Sequence, residues 1–193
     1  MRDEAELIRA AVRGDRRSFE ELVILKRARV VRTAFQITGN LEDARDVSQG
    51  VFVTLWRSLH RYDPGRPFDT WLYRVTVNAA IDLVRSRGPR AEAGATPLDP
   101  TVSASEPDPD RGIRARELRD AFRVLAAELP PQQRATFVLR EAEGRSTAEI
   151  AEILEVSEST VRNHLLLARR ALRRGLESRF PELLPAPRRE DRS

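Results

Sequence analysis

Apolar residues recur every three or four positions through most of the chain, a spacing typical of amphipathic α-helices. The pattern is clearest in segment 41–87, where two apolar stripes follow one another. They comprise Val47, Val51, Leu55 and Leu59 with Ala44, Phe52 and Trp56, and then Trp71, Leu72, Val75, Ala79 and Leu83. Between them lies YDPGRP, residues 62–67, whose Pro and Gly interrupt helical backbone. The segment therefore predicts two helices joined by a tight loop, with both Trp side chains in the core.

Two earlier stripes predict a short helix over 3–12 and a long one over 16–38. Asp15 and Asn40 lie where N-caps are expected, because their side chains accept hydrogen bonds from the first free N–H groups. With the hairpin, these helices form one bundle that ends near Arg87.

Helical periodicity resumes at residue 113, first with the stripe Leu118, Ala121, Phe122 and Leu125. Further helices are predicted from Pro131 to about 142, over 148–154 after a cap at Ser146 or Thr147, and over 158–178 after a cap at Ser157. The last two have helix-turn-helix proportions. On the final helix the predicted core face is Val161, Leu165, Ala168 and Leu172.

Segment 88–112 differs from both helical regions, since it is rich in Pro, Ala, Ser and Asp and nearly lacks large apolar residues. Such a composition cannot bury a core and predicts a flexible linker. The expected fold is all-α, with two small helical domains at 1–87 and 113–179 and a short tail at 180–193.

Composition narrows the class of protein. The chain has 193 residues, 40% hydrophobic and 33% charged, with no Cys, so disulfides and thiolate metal sites are excluded. Basic residues outnumber acidic ones by only 34 to 30, and Lys26 is the sole Lys, so the placement of the arginines matters more than the net charge. There is no apolar run long enough to cross a membrane, so we expect a cytoplasmic protein without membrane insertion.

The outward helix faces carry the candidate chemistry. One helix of the hairpin presents an acidic face and the next a basic one, while the final helix carries a stripe of arginines suited to the DNA backbone. The two His residues, His60 and His164, are isolated. No nucleophile–base pair or phosphate-binding loop is present, so the chain is not expected to be an enzyme or to hold a cofactor or metal.

The runs DARDVSQGVFVTLW (43–56) and FDTWLYRV (68–75), followed by Asn78 and Asp82, resemble domain two of bacterial sigma factors of the extracytoplasmic-function (ECF) group. The run LPPQQRATFVLREAEGRSTAEIAEILEVSESTVRNHL (129–165) resembles their domain four. The resemblance implies an initiation subunit that binds core RNA polymerase, recognises −10 and −35 promoter elements and helps to open the DNA. It also implies an anti-sigma factor as a further partner.

The same resemblance assigns roles to residues. It places polymerase binding on Asp43, Asp46, Gln49 and Val53. It places −10 recognition, including capture of a flipped base by loop 60–68, on His60, Arg61, Tyr62, Arg66, Arg74, Asn78 and Arg85. It places −35 recognition on Ser159, Thr160, Arg162, Asn163, Arg169, Arg170 and Arg173. Three positions depart from the family pattern: Arg45 replaces an acid, Gly50 stands where Glu is common, and Leu167 replaces a base.

Two other classes of protein fit parts of the pattern. A two-component regulator would share the helix-turn-helix, but it needs alternating strands and helices upstream, and the N-terminal half has only helical periodicity. A sigma-like scaffold that binds polymerase or a regulator without reading promoters fits the three departures. Transcription with purified core polymerase separates it from a sigma factor.

Overall fold

The computed structural model describes residues 3–87 and 109–184, and all regular secondary structure in these residues is helical. The prediction of an all-α fold is confirmed. The α-helices are α1 (Glu4–Val12), α2 (Arg16–Thr38), α3 (Leu41–Ser58), α4 (Phe68–Arg87), α5 (Pro109–Ala127), α6 (Pro131–Glu141), α7 (Thr147–Leu154) and α8 (Glu158–Arg179). Short 3-10 helices span Leu59–Arg61 and Pro181–Leu183. We call α1–α4 the N-terminal unit and α5–α8 the C-terminal unit.

The predicted N-caps begin the helices. The Asp15 side chain accepts from the Arg17 N–H, and that of Asn40 accepts from the N–H groups of Glu42 and Asp43. Ser146, rather than Thr147, caps α7 in a reciprocal capping box with Glu149, and Ser157 caps α8. At the other end of α2, Gly39 has φ 75°, the left-handed conformation that Gly adopts without a steric penalty. Local chemistry therefore sets these helix ends.

In α4 the buried face differs from the predicted one. Trp71, Val75, Ala79 and Leu83 are only half-buried, whereas the buried residues are Phe68, Thr70, Leu72, Tyr73, Thr76, Val77, Ala80 and Ile81. The reason is tertiary, because α4 packs against α2 and α3 of its own unit and also against α6 and α7. A helix covered from two sides has no single inward stripe.

Trp56 is a second correction. The sequence predicts it in the core, but it is 39% exposed and lies beside Phe19, with ring centroids 4.9 Å apart. Trp71 is half-buried, and its ring stacks on Tyr62 with a centroid distance of 5.5 Å. The two indoles therefore cover the edge of the core instead of filling it.

The C-terminal unit has a small core of its own where α5 crosses α8, made of Leu125, Ala126, Leu129, Ala168 and Leu172. Gly175 permits this crossing, since a Cβ there would lie 2.5 Å from Cδ2 of Leu125. Helix α5 begins at Pro109, so the last residues of the predicted linker are helical, and residues 88–108 lie outside the described residues. Leu118, predicted in the apolar stripe, is 44% exposed.

The two units pack against each other and share one large core. Buried residues of α6, α7 and α8 join those of α2, α3 and α4 in a single cluster. Arg134 of α6 is 2% exposed, and its guanidinium donates to the Ile37 carbonyl at the end of α2 at 2.8 Å. The units are therefore docked, and their contact surface buries charge as well as apolar area.

Within the N-terminal unit, Lys26 is 3% exposed and joins three helices. Its ammonium lies 2.7 Å from the Glu4 carboxylate and 2.8 Å from that of Asp69, which also contacts Arg29 at 2.6 Å. Burial by itself raises the pKa of Asp69, but the hydrogen bonds and charges of Lys26 and Arg29 outweigh it and lower that pKa below its usual value. The cluster ties α1 and α4 to α2.

Lys26→Met is expected to lower the free energy of unfolding by about 3 kcal/mol, because it removes a buried cation and leaves the half-buried carboxylate of Asp69 with one cation fewer. The matched control is Arg16→Met, which breaks an exposed ion pair with Glu20 and is expected to cost less than about 1 kcal/mol. Urea unfolding followed by circular dichroism measures both. Equal losses in the two variants would contradict a buried role for Lys26.

Candidate nucleic-acid interface

The outward face of α3 carries three of the four residues assigned to polymerase binding. Asp46, Gln49 and Val53 are exposed, and Val53 is 50% exposed although apolar. Asp43 does not join them and is a correction, since it is buried and ion-paired with Arg87 at the end of α4. Asp43 lies in the first turn of α3, on the side that α4 covers. Its carboxylate therefore links the two helices of the hairpin through Arg87. Arg45 and Gly50 are exposed on this helix.

The loop between α3 and α4 is ordered by its own side chains. The Tyr62 hydroxyl donates to the Arg66 carbonyl at 2.7 Å, and the Asp63 carboxylate accepts from the Gly65 N–H at 2.9 Å. Burial, with a smaller contribution from Asp63, raises the pKa of Tyr62, so the hydroxyl stays a donor at neutral pH. Because these hydrogen bonds hold the loop in one conformation, its side chains are already positioned for a ligand.

A cavity of about 370 Å³ opens beside this loop. Its lining combines aromatic rings, two hydroxyls, guanidinium groups and two carboxylates, supplied by Arg61, Tyr62, Asp63, Arg66, Thr70, Trp71, Arg74 and Glu152. The rings of Tyr62, Phe68 and Trp71 form a cluster with centroid distances of 5.5 to 5.8 Å. Aromatic and guanidinium planes stack on unpaired bases, so the cavity suits a single nucleobase.

Asp63 and Glu152 line the cavity without having been assigned to it from the sequence, and so do Thr70 and Trp71 of α4. The sequence predicts that Thr70 and Trp71 lie in the first turn of α4. A Trp on the apolar stripe of a helix is usually a core residue, so the periodicity predicted an inward position for Trp71. His60 is exposed outside this lining, at the 3-10 helix before the loop.

The basic face of α4 is only partly open. Asn78 and Arg85 are exposed, as predicted. Arg74 is instead covered by α7 of the C-terminal unit, where its guanidinium donates to the Glu152 carbonyl at 2.8 Å and pairs with the Glu155 carboxylate at 2.9 Å. Arg66 lies 3.5 Å from the Glu152 carboxylate. These contacts could not be predicted from helical periodicity, because they join segments far apart in the chain.

Helix α8, the second helix of the helix-turn-helix, presents the predicted arginines. Its predicted core residues Val161, Leu165, Ala168 and Leu172 are buried. Arg162, Asn163, Arg169, Arg170 and Arg173 are exposed, while Ser159 and Thr160 bond through their hydroxyls to Ser157 in the cap. The N-terminus of α8 also carries the positive end of the helix dipole, which favours anions.

Acidic residues pair with three arginines of this face. Arg162 pairs with Glu158 at 3.1 Å, Arg169 with Glu141 at 2.7 Å and Arg173 with Glu177 at 2.7 Å. All six side chains are at least 43% exposed, so each pair is weak in water. These arginines can exchange a carboxylate for a phosphate at small cost.

Leu166 is a residue that sequence reasoning missed. It is 47% exposed and lies one helical turn from both Arg162 and Arg170, in the middle of the arginine-rich face. Leu167, the neighbouring residue, is 38% exposed at the edge of this face. An exposed Leu among arginines is suited to apolar contact with a thymine methyl group.

The contact between the units centres on Glu143, whose side chain is 3% exposed. Its carboxylate accepts from the Tyr73 hydroxyl at 2.7 Å and from the Thr33 hydroxyl at 2.8 Å, and it lies 3.4 Å from Arg32. Burial, together with the hydrogen bond and negative charge of Glu143, raises the pKa of Tyr73 to about 12. In the sequence, Glu143 is simply a polar residue before a turn.

These features define a two-unit helical DNA-binding protein, with a base-sized aromatic cavity at the start of α4 and a helix-turn-helix in the C-terminal unit. The comparisons with known proteins agree with this class. Residues 22–90 match the family model for sigma-70 region 2, and residues 119–172 match that for sigma-70 region 4.

Individual relatives extend the match over most of the chain. It is 32% identical over 176 residues to the ECF RNA polymerase sigma factor SigM of Mycobacterium tuberculosis, covering 90% of this chain and 84% of SigM. It is 38% identical over 157 residues to SigE of Mycolicibacterium smegmatis, covering 81% of this chain but 60% of SigE. The chain belongs to the ECF group of RNA polymerase sigma factors, the promoter-recognition subunits of transcription initiation.

A solved structure supports the arrangement as well as the family. The structure of CnrH in complex with the cytosolic domain of CnrY aligns with a TM-score of 0.67 at 27% identity, covering 91% of this chain and 98% of CnrH. Among the residues that our structure describes, no helix is both long and apolar enough to span a membrane.

The raised pKa of Tyr73 predicts a pH-dependent loss of stability. The folded state holds this proton more tightly than the unfolded state, whose pKa is near 10.0. The contribution of protonated Tyr73 to the free energy of unfolding is therefore complete below about pH 10 and is lost as the pH rises towards about 12. Urea unfolding across this range measures it. Tyr73→Phe is expected to flatten the dependence, whereas Tyr62→Phe is expected to keep most of it; the reverse ranking would contradict the assignment.

Proposed function

We propose that this chain divides its work as a sigma factor among three surfaces: α3 for core polymerase, loop 60–68 with α4 for the −10 element, and α8 for the −35 element. The observation that carries the proposal is the base-sized aromatic cavity at the start of α4, in the same chain as an arginine-rich second helix of a helix-turn-helix. Joining two weak DNA contacts in one molecule raises affinity through effective concentration.

In the −10 step, a non-template base leaves the stack and enters the cavity. Extrusion costs a few kcal/mol, which stacking on Tyr62 and Trp71 offsets. Thr70 and Arg66 line the same cavity and offer hydrogen bonds to the base edge. Arg74, Asn78 and Arg85, spaced along α4, contact the adjoining backbone or bases. Holding the base outside the duplex favours strand separation.

In the −35 step, α8 enters the major groove with its N-terminal half. Arg162 and Asn163 are the base-reading residues, since Arg bonds bidentately to guanine and Asn to adenine. Leu166 lies next to them and contacts a thymine methyl. Arg169, Arg170 and Arg173 lie further along and bind phosphates, which sets affinity and salt dependence without sequence preference.

The polymerase contact is assigned to Asp46, Gln49 and Val53, now without Asp43. An exposed Val between polar residues suits a partner surface that covers it. The chain acts in the cytoplasm as a non-catalytic subunit. An anti-sigma factor is a further partner, by analogy with CnrH, which was solved with the cytosolic domain of CnrY.

Asp46→Arg is expected to abolish the recovery of core polymerase in a pull-down. It is also expected to abolish transcription from a randomised promoter library. Stability should change by less than about 0.5 kcal/mol, since the residue is exposed. Glu20→Arg, the same charge change at an exposed residue of α2, is the control and should leave both readouts unchanged. Unaltered polymerase recovery with Asp46→Arg would refute the α3 assignment. A wild-type holoenzyme that transcribes nothing from the library would instead favour the scaffold.

Arg162→Ala and Arg170→Ala separate base reading from phosphate binding. Loss of a base contact at Arg162 should cost about 1–3 kcal/mol and relax preference at one promoter position. Loss of a phosphate contact at Arg170 should weaken all sequences alike and reduce the salt slope by about one unit. Sequencing of promoters selected by each holoenzyme, with affinities at several salt concentrations, measures this. An unchanged −35 motif with Arg162→Ala would leave Arg162 as a phosphate contact only.

A further inference from the structure

We propose that Lys26 and Asp69 are positioning residues of the −10 reader, because they fix the first turn of α4, which is one wall of the cavity, to α2. The proposal rests on the −10 role proposed for this cavity. It adds to that role two residues that do not line the cavity themselves. The observation behind it is the ion network that joins Asp69 to α2.

The first turn of α4 contains both the cavity wall and its attachment. Thr70 and Trp71 line the cavity, and the Phe68 ring lies 5.5 Å from that of Tyr62 and 5.8 Å from that of Trp71. Asp69 lies between these residues in sequence, but it is about 200° from Trp71 around the helix axis. Its carboxylate therefore leaves the helix on the α2 side, whereas the Trp71 ring faces the cavity.

The attachment is made through both oxygens of the Asp69 carboxylate. Oδ1 lies 2.8 Å from the Lys26 ammonium, and Oδ2 lies 2.6 Å from the Arg29 guanidinium. The two cations are three residues apart and therefore come from one face of α2. Charge-assisted hydrogen bonds to two separate oxygens fix the position and the plane of the carboxylate. The first turn of α4 therefore has little freedom to shift along α2.

Lys26 also reaches the other end of loop 60–68. Its side chain is buried, and its ammonium lies 2.7 Å from the Glu4 carboxylate of α1. Helix α1 packs against the 3-10 helix Leu59–Arg61, where the loop begins, and Asp69 follows directly after the loop ends. A buried ammonium is costly without its partners, so Lys26 keeps both carboxylates. One lysine thus sets the positions of both ends of the loop.

Stability alone is a weak reason for such a network. A buried ion pair adds little net stability compared with apolar side chains of the same volume, because desolvation offsets the attraction. It does supply direction, since its hydrogen bonds have a defined geometry. Binding groups need to lie within about 0.5 Å of their productive positions, and supporting hydrogen bonds provide that precision. The rings of Tyr62 and Trp71, which stack on the captured base, depend on it.

The test begins with a direct measurement of the cavity wall in the full chain. The chain has two Trp residues, so Trp56→Phe leaves Trp71 as the single indole fluorophore. Asp69→Asn removes the charge and keeps the side-chain shape, and Lys26→Met removes the ammonium. The control is Ile37→Ala, which leaves a cavity in the core about three turns further along α2.

In the Trp56→Phe chain we expect Asp69→Asn and Lys26→Met to raise the acrylamide quenching constant of Trp71 by about two-fold, because a released turn exposes the ring more often. Ile37→Ala should lower the urea midpoint at least as far as Asp69→Asn and leave the quenching constant unchanged. Asp69→Asn, the milder change, keeps the test usable if Lys26→Met does not fold. An unchanged quenching constant in Asp69→Asn would overturn the positioning role.

The second measurement uses holoenzyme and a promoter library randomised in the −10 element, from which opened promoters are sequenced. Asp69→Asn and Lys26→Met should weaken the preference for the captured base several-fold, while the −35 motif and the recovery of polymerase stay as in wild type. Lys26→Met combined with Asp69→Leu replaces the ion pair by apolar side chains. It should regain the wild-type urea midpoint without regaining the −10 preference. Full −10 preference in this double variant, or an equal loss of preference with Ile37→Ala, would overturn the proposal.

Failure of the underlying −10 role has a different signature. A Trp71→Ala holoenzyme that keeps the wild-type −10 preference would refute the role of the cavity. The quenching measurement is made on the chain without DNA and does not depend on that role. A wrong −10 reader and a wrong positioning network are therefore told apart.

Discussion

The docking of α6 on α2 is the constraint on which the rest of the structure depends. Two buried side chains of opposite charge make this contact: Arg134 of α6 donates to the Ile37 carbonyl, and Glu143, just after α6, accepts from Thr33 and Tyr73. A charge withdrawn from water is tolerated only with such partners. Docking therefore gives both buried charges the hydrogen-bond partners that they need.

This constraint treats the two DNA-reading surfaces differently. Docking places α7 over Arg74 and the cavity of the N-terminal unit. The same docking leaves Arg162, Asn163 and Leu166 of α8 exposed, because α8 packs through its opposite face. One surface is thus covered and the other open in a single conformation.

Features that depend on neighbouring residues could be predicted well. The caps at Asp15, Asn40 and Ser157 and the buried face of α8 followed from local rules, since N–H satisfaction and helical periodicity act within a few residues. The residues of the aromatic cavity were partly predicted, through Tyr62 and Arg66 in a loop that cannot be helical. Trp71 was placed inward because a Trp on an apolar stripe is equally compatible with a core and with a cavity wall.

By itself the sequence determined the all-α class, the positions of the helices, the helix-turn-helix and the family, all of which are encoded in short-range patterns. Tertiary structure decided which polar groups are available. Asp43 is withdrawn by Arg87, Arg74 is covered by Glu155, and Glu143 becomes a buried acceptor for Tyr73. Each of these pairs joins residues more than forty positions apart. The burial of a charge is set by what packs over it, and a one-dimensional pattern does not contain that information.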